Sequence, residues 1–139
     1  MYSQYQPNLK FANAGEPVIV GPVEYTITFE GTHEGNKETK PENTFIKIGI
    51  EATNLSQQVQ RMSGGQFHLV DENRPDHEAV YGGFSDEDLI DDYLEPGKPV
   101  KWTTQFDAPF DEEQQYKILI RPTKEQKTTD TAIVCLVNC

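Results

Sequence analysis

The sequence lacks the features that bring a chain into a membrane or onto nucleic acid. No run approaches the roughly 18 consecutive apolar residues of a membrane-spanning helix. Basic residues are scarce, because 12 lysines and arginines stand against 23 aspartates and glutamates, and the net charge is −11. Such a charge repels phosphate backbones and anionic lipid headgroups. We therefore expect neither nucleic acid nor direct membrane insertion, and we attribute most of the acidity to solubility.

Apolar residues and leader signals are also scarce. Hydrophobic residues make up 35% of the 139 residues and the mean hydropathy is −0.67, so the core is lean and the surface polar. The sequence has no basic segment followed by an apolar segment, which is the mark of a secretory signal peptide. The first 14 residues are polar except for Leu9 and Phe11. This composition predicts a tether or irregular lead-in over residues 1–14 and one domain over residues 15–139.

Apolar and polar residues alternate most clearly between residues 23 and 30. Val23, Tyr25, Ile27 and Phe29 are separated by glutamate and threonine. A period of two places apolar side chains on one face of a strand and polar side chains on the other. The pattern is typical of an antiparallel sheet that covers a core on one side.

Further segments carry strand signals, and turn signals such as Glu95-Pro96-Gly97 separate them. No segment carries a sustained helical period. About eight or nine short strands predict an all-β fold, an immunoglobulin-like antiparallel two-sheet sandwich. The predicted strands are 18–20, 23–29, 44–53, 57–62, 66–70, 77–81, 100–106, 116–121 and 132–137. The residues that we expect to be buried together on their apolar faces are Tyr25, Ile27, Ile48, Phe67, Trp102, Phe106 and Ile118.

The same segments carry an ordered set of short motifs. These motifs are Gly15-Glu16 before the alternating strand, a strand that ends at Asn54, Phe67-His68-Leu69-Val70-Asp71, Leu94-Glu95-Pro96-Gly97, Phe106-Asp107-Ala108-Pro109 and Tyr116-Lys117-Ile118. In this order they resemble the domain-of-unknown-function-4352 family over about residues 15–121.

The resemblance implies a small extracytoplasmic domain with an immunoglobulin-like sandwich, of the kind found in lipoproteins and secreted proteins of bacteria and archaea. The family has no established activity and no agreed catalytic residues, so the resemblance assigns no site. We therefore interpret the chain as a non-catalytic binding or structural module without a cofactor. Its expected location is secreted or surface-anchored, and its expected partner is a protein or another component of the cell surface.

The two cysteines, Cys135 and Cys139, lie at the end of the last predicted strand. In the extracytoplasmic domain that the resemblance implies, two cysteines are expected to pair. Four residues of continuous strand would separate their Cα atoms by roughly 13 Å, whereas a disulfide needs about 4.4–6.8 Å. A disulfide therefore requires a turn over residues 136–138, where Asn138 tolerates the left-handed conformation. The alternative is two free thiols, with Cys135 buried.

Acidic residues are concentrated between residues 86 and 92. Carboxylate oxygens suit Ca²⁺, so the alternative function is a calcium-binding surface domain with calcium as its cofactor. The EF-hand pattern is absent, and the competing interpretation is a solvated acidic loop. The predicted calcium ligands are Asp86, Asp88, Asp91 and Asp92.

Catalytic motifs are lacking. The sequence has no Gly-x-Ser-x-Gly motif, and His33, His68 and His77 have no zinc-binding spacing, so we interpret them as ordinary surface histidines. A small hydrolase with paired carboxylates is the third hypothesis, because such pairing is spatial. We expect no enzyme. The sequon Asn54-Leu55-Ser56 matches an N-glycosylation site, as three-residue motifs often do by chance.

Overall fold

The computed structural model describes residues 8–72 and 76–139. In these residues the chain forms eleven strands and two single-turn 3-10 helices, at Gly64–Gln66 and Lys124–Gln126. None of its helical segments has the length and apolar character needed to cross a membrane. The strands are β1 (Leu9–Asn13), β2 (Pro17–Val20), β3 (Val23–His33), β4 (Thr44–Asn54), β5 (Gln60–Ser63), β6 (Phe67–Val70), β7 (His77–Val80), β8 (Asp91–Leu94), β9 (Val100–Ala108), β10 (Tyr116–Ile120) and β11 (Thr131–Val137).

Nine strands form one continuous sheet in the order β1-β11-β10-β6-β7-β9-β4-β3-β2. The sheet doubles back at β7, which pairs with β6 through its first half and with β9 through its second half. The strands on either side of β7 therefore form two layers that enclose one core. Strands β5 and β8 form a separate two-stranded ribbon. The predicted all-β, two-layer fold is confirmed.

The core lies between the two layers. Tyr25 of β3 meets Phe67 of β6 edge to face, with ring centroids 5.7 Å apart. Six of the seven predicted core residues are fully buried, as their strand phases predict. Trp102 is the exception, because it is only partly buried and packs against the margin of the core. Its indole N–H donates to Asp92 at 2.9 Å, which a central position in an apolar core would not allow.

Two strands were missing from the prediction. β1 forms within the segment that the sequence assigns to an irregular lead-in, and β8 begins within the acidic loop over residues 86–92 and ends at Leu94. β1 pairs with β11, which is distant in sequence, and this pairing is parallel although the sequence predicts an antiparallel sheet. Both strands carry weak local signals, so long-range pairing decides their conformation. The first seven residues of the predicted lead-in lie outside the described residues.

Asp130 ties the start of β1 to the turn between β2 and β3. Its carboxylate accepts the backbone N–H of Gly21 at 2.9 Å and the side-chain amide of Asn8 at 3.1 Å, and Lys10 lies 3.5 Å away. The hydrogen bond from Gly21 is the largest cause of a lowered pKa at Asp130. The hydrogen bond from Asn8 and the positive charge of Lys10 lower this pKa further. The carboxylate therefore holds β1 against the rest of the sheet.

Asp130 is expected to make the stability of the domain dependent on pH. Because its pKa is lower in the folded chain than in the unfolded chain, its contribution is present above the unfolded pKa of about 4 and is lost as pH falls through the folded pKa. Asp130→Asn should cost about 1–2 kcal/mol at pH 7 and less at pH 2.5. Urea unfolding of both proteins at the two pH values measures this difference. An equal cost at both values would contradict the prediction.

Candidate functional site: a cationic cleft

Cationic side chains gather around one cleft of this acidic protein. The cleft has a volume of about 380 Å³ and lies between β5, the start of β6 and the segment after β10. Its lining includes Arg61, His68, Arg121 and Lys124, with Glu125 as its one carboxylate. The sequence contains three arginines, and the two that the structure describes, Arg61 and Arg121, both line this cleft. We call this region the cationic cleft.

A buried glutamine fixes one wall of the cationic cleft. Gln66 donates from its side-chain amide to the hydroxyl of Tyr25 at 3.1 Å and to the carbonyl of Arg121 at 2.8 Å. Its amide oxygen accepts the backbone N–H of Ser63 at 2.9 Å. The backbone N–H of Arg121 in turn donates to the carbonyl of Gln66 at 2.9 Å. These bonds join the turn between β5 and β6 to the segment that carries Arg121.

A second buried glutamine fixes the opposite wall. Gln126 donates to the carbonyl of Arg61 at 2.9 Å, and the hydroxyl of Thr123 donates to the same carbonyl at 3.3 Å. The segment over residues 121–126 is therefore attached to β6 at one end and to β5 at the other. The backbone beneath the cations is held in place without a ligand, which lowers the entropy that binding would cost.

The charges in the cleft are incompletely paired. The guanidinium of Arg61 lies 3.4 Å from Asp91 and 3.8 Å from Glu125, and all three side chains are more than a third exposed, so these ion pairs are weak. Among the described residues, no carboxylate lies within 4.0 Å of the cationic groups of Arg121 and Lys124. Two cations in the lining are thus available to an anion.

His68 closes the cleft on the β6 side. Its Nδ1 lies 2.6 Å from a carboxylate oxygen of Asp76, and its Nε2 lies 3.0 Å from the carbonyl oxygen of Gly65. Both ring nitrogens of His68 therefore face hydrogen-bond acceptors. His68 lies on the outer face of β6, as predicted, but its side chain is only 12% exposed and lines the cleft.

The prediction that His77 is a surface histidine is wrong, because the residue is buried. Its Nε2 lies 2.8 Å from a carboxylate oxygen of Asp71, and the two side chains are 7% and 3% exposed. The small cleft beside this pair is lined by three carboxylate side chains, one amide side chain and His77. The hydrolase hypothesis, which rests on paired carboxylates, stays a prediction.

The four predicted calcium ligands do not converge. Asp88 is buried and accepts backbone N–H groups, Asp92 accepts the indole N–H of Trp102, Asp91 lies beside Arg61, and Asp86 is exposed. Over residues 8–72 and 76–139, no three His, Cys, Asp or Glu side chains are placed to share a metal ion. Calcium binding by this loop stays a prediction from charge density.

The two cysteines are at disulfide distance and bonded. The Cα atoms of Cys135 and Cys139 lie 5.9 Å apart, within the predicted window. Asn138 has a φ of 61°, the left-handed conformation that the turn requires. Its side-chain amide also donates to the carbonyl of Glu112 at 2.7 Å, which attaches the terminal turn to the segment before β10.

Asn54 is a structural residue rather than a glycosylation site. Its side chain is fully buried, and its amide donates to the carbonyls of Gln58 at 2.6 Å and Leu94 at 2.8 Å. A buried amide engaged in this way is inaccessible to a glycosylating enzyme in the folded domain. The sequence points to Asn54 as the end of a strand in the family motif and as part of a sequon, and it points to none of Arg61, Arg121 and Lys124.

Comparison with known proteins agrees with the fold. The yjhA protein from Bacillus subtilis is similar, with a TM-score of 0.73 at 18% identity over 91% of this chain and 99% of that chain. A "putative lipoprotein (ycdA)" from Bacillus subtilis subsp. subtilis str. 168 gives a TM-score of 0.67 at 12% identity over 89% of this chain. This chain spans only 39% of that protein.

A third solved structure is a "putative lipoprotein" from Staphylococcus aureus subsp. aureus NCTC 8325. Its TM-score is 0.58 at 12% identity, over 87% of this chain and 88% of that chain. A search of the curated proteins finds no match. The sequence model described as "Domain of unknown function (DUF4352)" matches residues 12–130, which is most of the chain. The chain therefore belongs to the family of this domain of unknown function, DUF4352.

Proposed function

We propose that this domain is a non-catalytic, extracytoplasmic binding module that takes an anionic group into the cationic cleft. The observation that carries the proposal is the gathering of Arg61, Arg121 and Lys124 on a pinned backbone in a chain of net charge −11. The cleft volume of about 380 Å³ is within the usual range for small-ligand sites. Arginine guanidinium groups also match the geometry of phosphate and carboxylate.

Two observations support an extracytoplasmic location. The Cys135–Cys139 disulfide is a bond that persists in oxidising compartments and is rare in the cytosol. Two of the structures that this chain resembles are described as lipoproteins. We extend that location, and the attachment or secretion that it entails, to this chain as part of the proposal.

The overall negative charge and a local cationic cleft are compatible. At physiological ionic strength the screening length is about 8 Å, so distant surface carboxylates act weakly on a group inside the cleft. A long polyanion would extend beyond the cleft and meet the acidic surface, which repels it. The cleft therefore favours a small ligand or a sparsely charged one, in line with the expected exclusion of nucleic acid.

Removing a cation should weaken binding of inorganic phosphate, the simplest probe of the cleft. Arg121→Gln is expected to lower the affinity about tenfold, because one charge-assisted hydrogen bond is lost. The measurement is titration of ¹⁵N-labelled protein with phosphate at constant ionic strength, following the amides of the cleft. Lys101→Gln is the matched control, since Lys101 is exposed on β9 and does not line the cleft.

Two outcomes would contradict the proposal. In one, phosphate causes no saturable change at the cleft amides of the unaltered protein at millimolar concentrations. In the other, Arg121→Gln and Lys101→Gln weaken binding equally, which would indicate a response to net charge alone rather than to a site.

A further inference from the structure

We infer that the ligand of the cationic cleft is a carbohydrate unit that carries one phosphate or carboxylate group, with Tyr93 as the platform for its ring. This inference rests on the proposed function, since it assumes that the cleft binds an anion. It adds the chemical class of the group to which that anion is attached.

Tyr93 lies beside the cleft and faces solvent. In the β5–β8 ribbon it is the direct cross-strand partner of Arg61. Directly opposed residues of antiparallel strands project from the same face, with Cβ atoms about 5 Å apart. Tyr93 is 65% exposed, so its ring is an apolar surface open to solvent on the same face of the ribbon as Arg61, which lines the cleft.

An aromatic ring beside a charged cleft suits a ligand with one apolar face and one anionic end. The C–H face of a sugar ring buries apolar area against an aromatic face, while its hydroxyl groups stay hydrated or form hydrogen bonds. A bare phosphate would leave Tyr93 unused. The position of Tyr93 therefore indicates a ring attached to the anion.

Neutral polar groups complete the match to a carbohydrate. The lining of the cleft includes the hydroxyl-bearing residues Ser63 and Thr123, together with Gly65. Hydroxyl groups both donate and accept hydrogen bonds, as sugar hydroxyls do. The acidic surface further favours one charge per sugar over a densely charged polymer.

Five probes test the inference on the full chain: glucose 6-phosphate, glucuronate, glucose, inorganic phosphate and an acidic tetrapeptide. Glucose 6-phosphate is expected to bind about tenfold more tightly than phosphate, because the ring adds contact with Tyr93. Tyr93→Ala should remove this gain and leave phosphate affinity unchanged, whereas Tyr93→Phe should keep it. Tyr81→Ala is the control, because Tyr81 is an exposed tyrosine that lies outside the β5–β8 ribbon. Comparing glucuronate with glucose 6-phosphate distinguishes a carboxylate from a phosphate ligand.

The outcomes separate this inference from the proposed function. If phosphate binds but glucose 6-phosphate binds no more tightly, or if its advantage survives Tyr93→Ala, the inference is overturned and the anion site remains. If an acidic tetrapeptide binds more tightly than both sugars, the carbohydrate class is wrong. If neither phosphate nor the sugar acids bind, the proposed function itself fails. Binding of glucose alone with the affinity of glucose 6-phosphate would also overturn the inference.

Discussion

Asp88→Asn is expected to destabilise the domain by about 3 kcal/mol, although it changes neither the size nor the shape of the side chain. Asp88 is 6% exposed. One of its carboxylate oxygens accepts the backbone N–H groups of Gly82, Gly83 and Phe84 at 3.1, 2.9 and 3.3 Å, and the other accepts the side-chain amide of Gln105 at 2.9 Å.

An asparagine cannot satisfy both sets of donors. If its NH₂ group faces the three backbone N–H groups, donors oppose donors. If it faces Gln105, that side chain must turn over, and the carbonyl of Val80 then loses the amide that now donates to it. A buried group left without its partner costs about 1–3 kcal/mol, and at least two groups are affected.

The effect should be visible locally as well as globally. The segment that Asp88 holds pairs with β9 through backbone hydrogen bonds. Leu89 N–H donates to the carbonyl of Thr103 at 2.8 Å, and Thr103 N–H donates to the carbonyl of Glu87 at 2.7 Å. Urea unfolding measures the total loss, and hydrogen exchange at Leu89 and Thr103 reports release of the segment. Asp86→Asn makes the same chemical change at an exposed position and should cost less than about 0.5 kcal/mol. Equal unfolding midpoints for the two variants would contradict the assignment of Asp88.

Asn54→Asp should have a comparable effect at the end of β4, with a loss of about 3 kcal/mol and a fall in melting temperature of about 10 °C. The Asn54 oxygen accepts the backbone N–H and the hydroxyl of Ser56 at 2.9 and 2.7 Å, while its amide donates to two carbonyls. Aspartate has nearly the same shape, but it has an oxygen in place of the NH₂ group that donates both of these hydrogen bonds.

The reason for the loss is a buried oxygen facing two carbonyl oxygens. The carbonyls of Gln58 and Leu94 would lose their donor and would lie close to a negative charge in a site without solvent. Differential scanning calorimetry at pH 7 measures the change. Gln57→Glu adds the same charge in the same turn at an exposed position and should leave the melting temperature nearly unchanged. A similar melting temperature for Asn54→Asp and Gln57→Glu would show that buried hydrogen bonding is not the cause.

The contrast between Asp88 and Asp86 shows what charge density alone leaves out. In the sequence the two residues are equivalent members of a run of carboxylates, and charge density is the only property that the run displays. In the structure one is buried against Gln105 of β9 and the other faces solvent. One of the donors that make Asp88 a structural residue is Gln105, which lies 17 residues further along the chain. No local sequence pattern indicates that contact.

The candidate site was beyond sequence reasoning for the same reason. Arg61, His68 and the segment that carries Arg121 and Lys124 are far apart in the sequence and share no motif spacing, so nothing in the sequence groups them. They meet because Gln66 and Gln126 bond the segment after β10 to β5 and β6. The scarcity of arginine in the chain was the only available signal, and scarcity does not specify position.

The sequence by itself determined the properties that depend on near neighbours. The period of two from Val23 to Phe29 set the class of fold and the inward phase of the core strands, because side chains of an extended chain alternate between faces whatever lies beyond them. Given the disulfide that the family resemblance implies, the spacing of Cys135 and Cys139 likewise required a terminal turn, which the structure has at Asn138. Tertiary structure alone decided the parallel pairing of β1 with β11, the burial of Asn54 and Asp88, and the assembly of the cationic cleft. Each of these depends on a partner from a distant segment, and the free energy of a polar side chain depends on whether that partner is present.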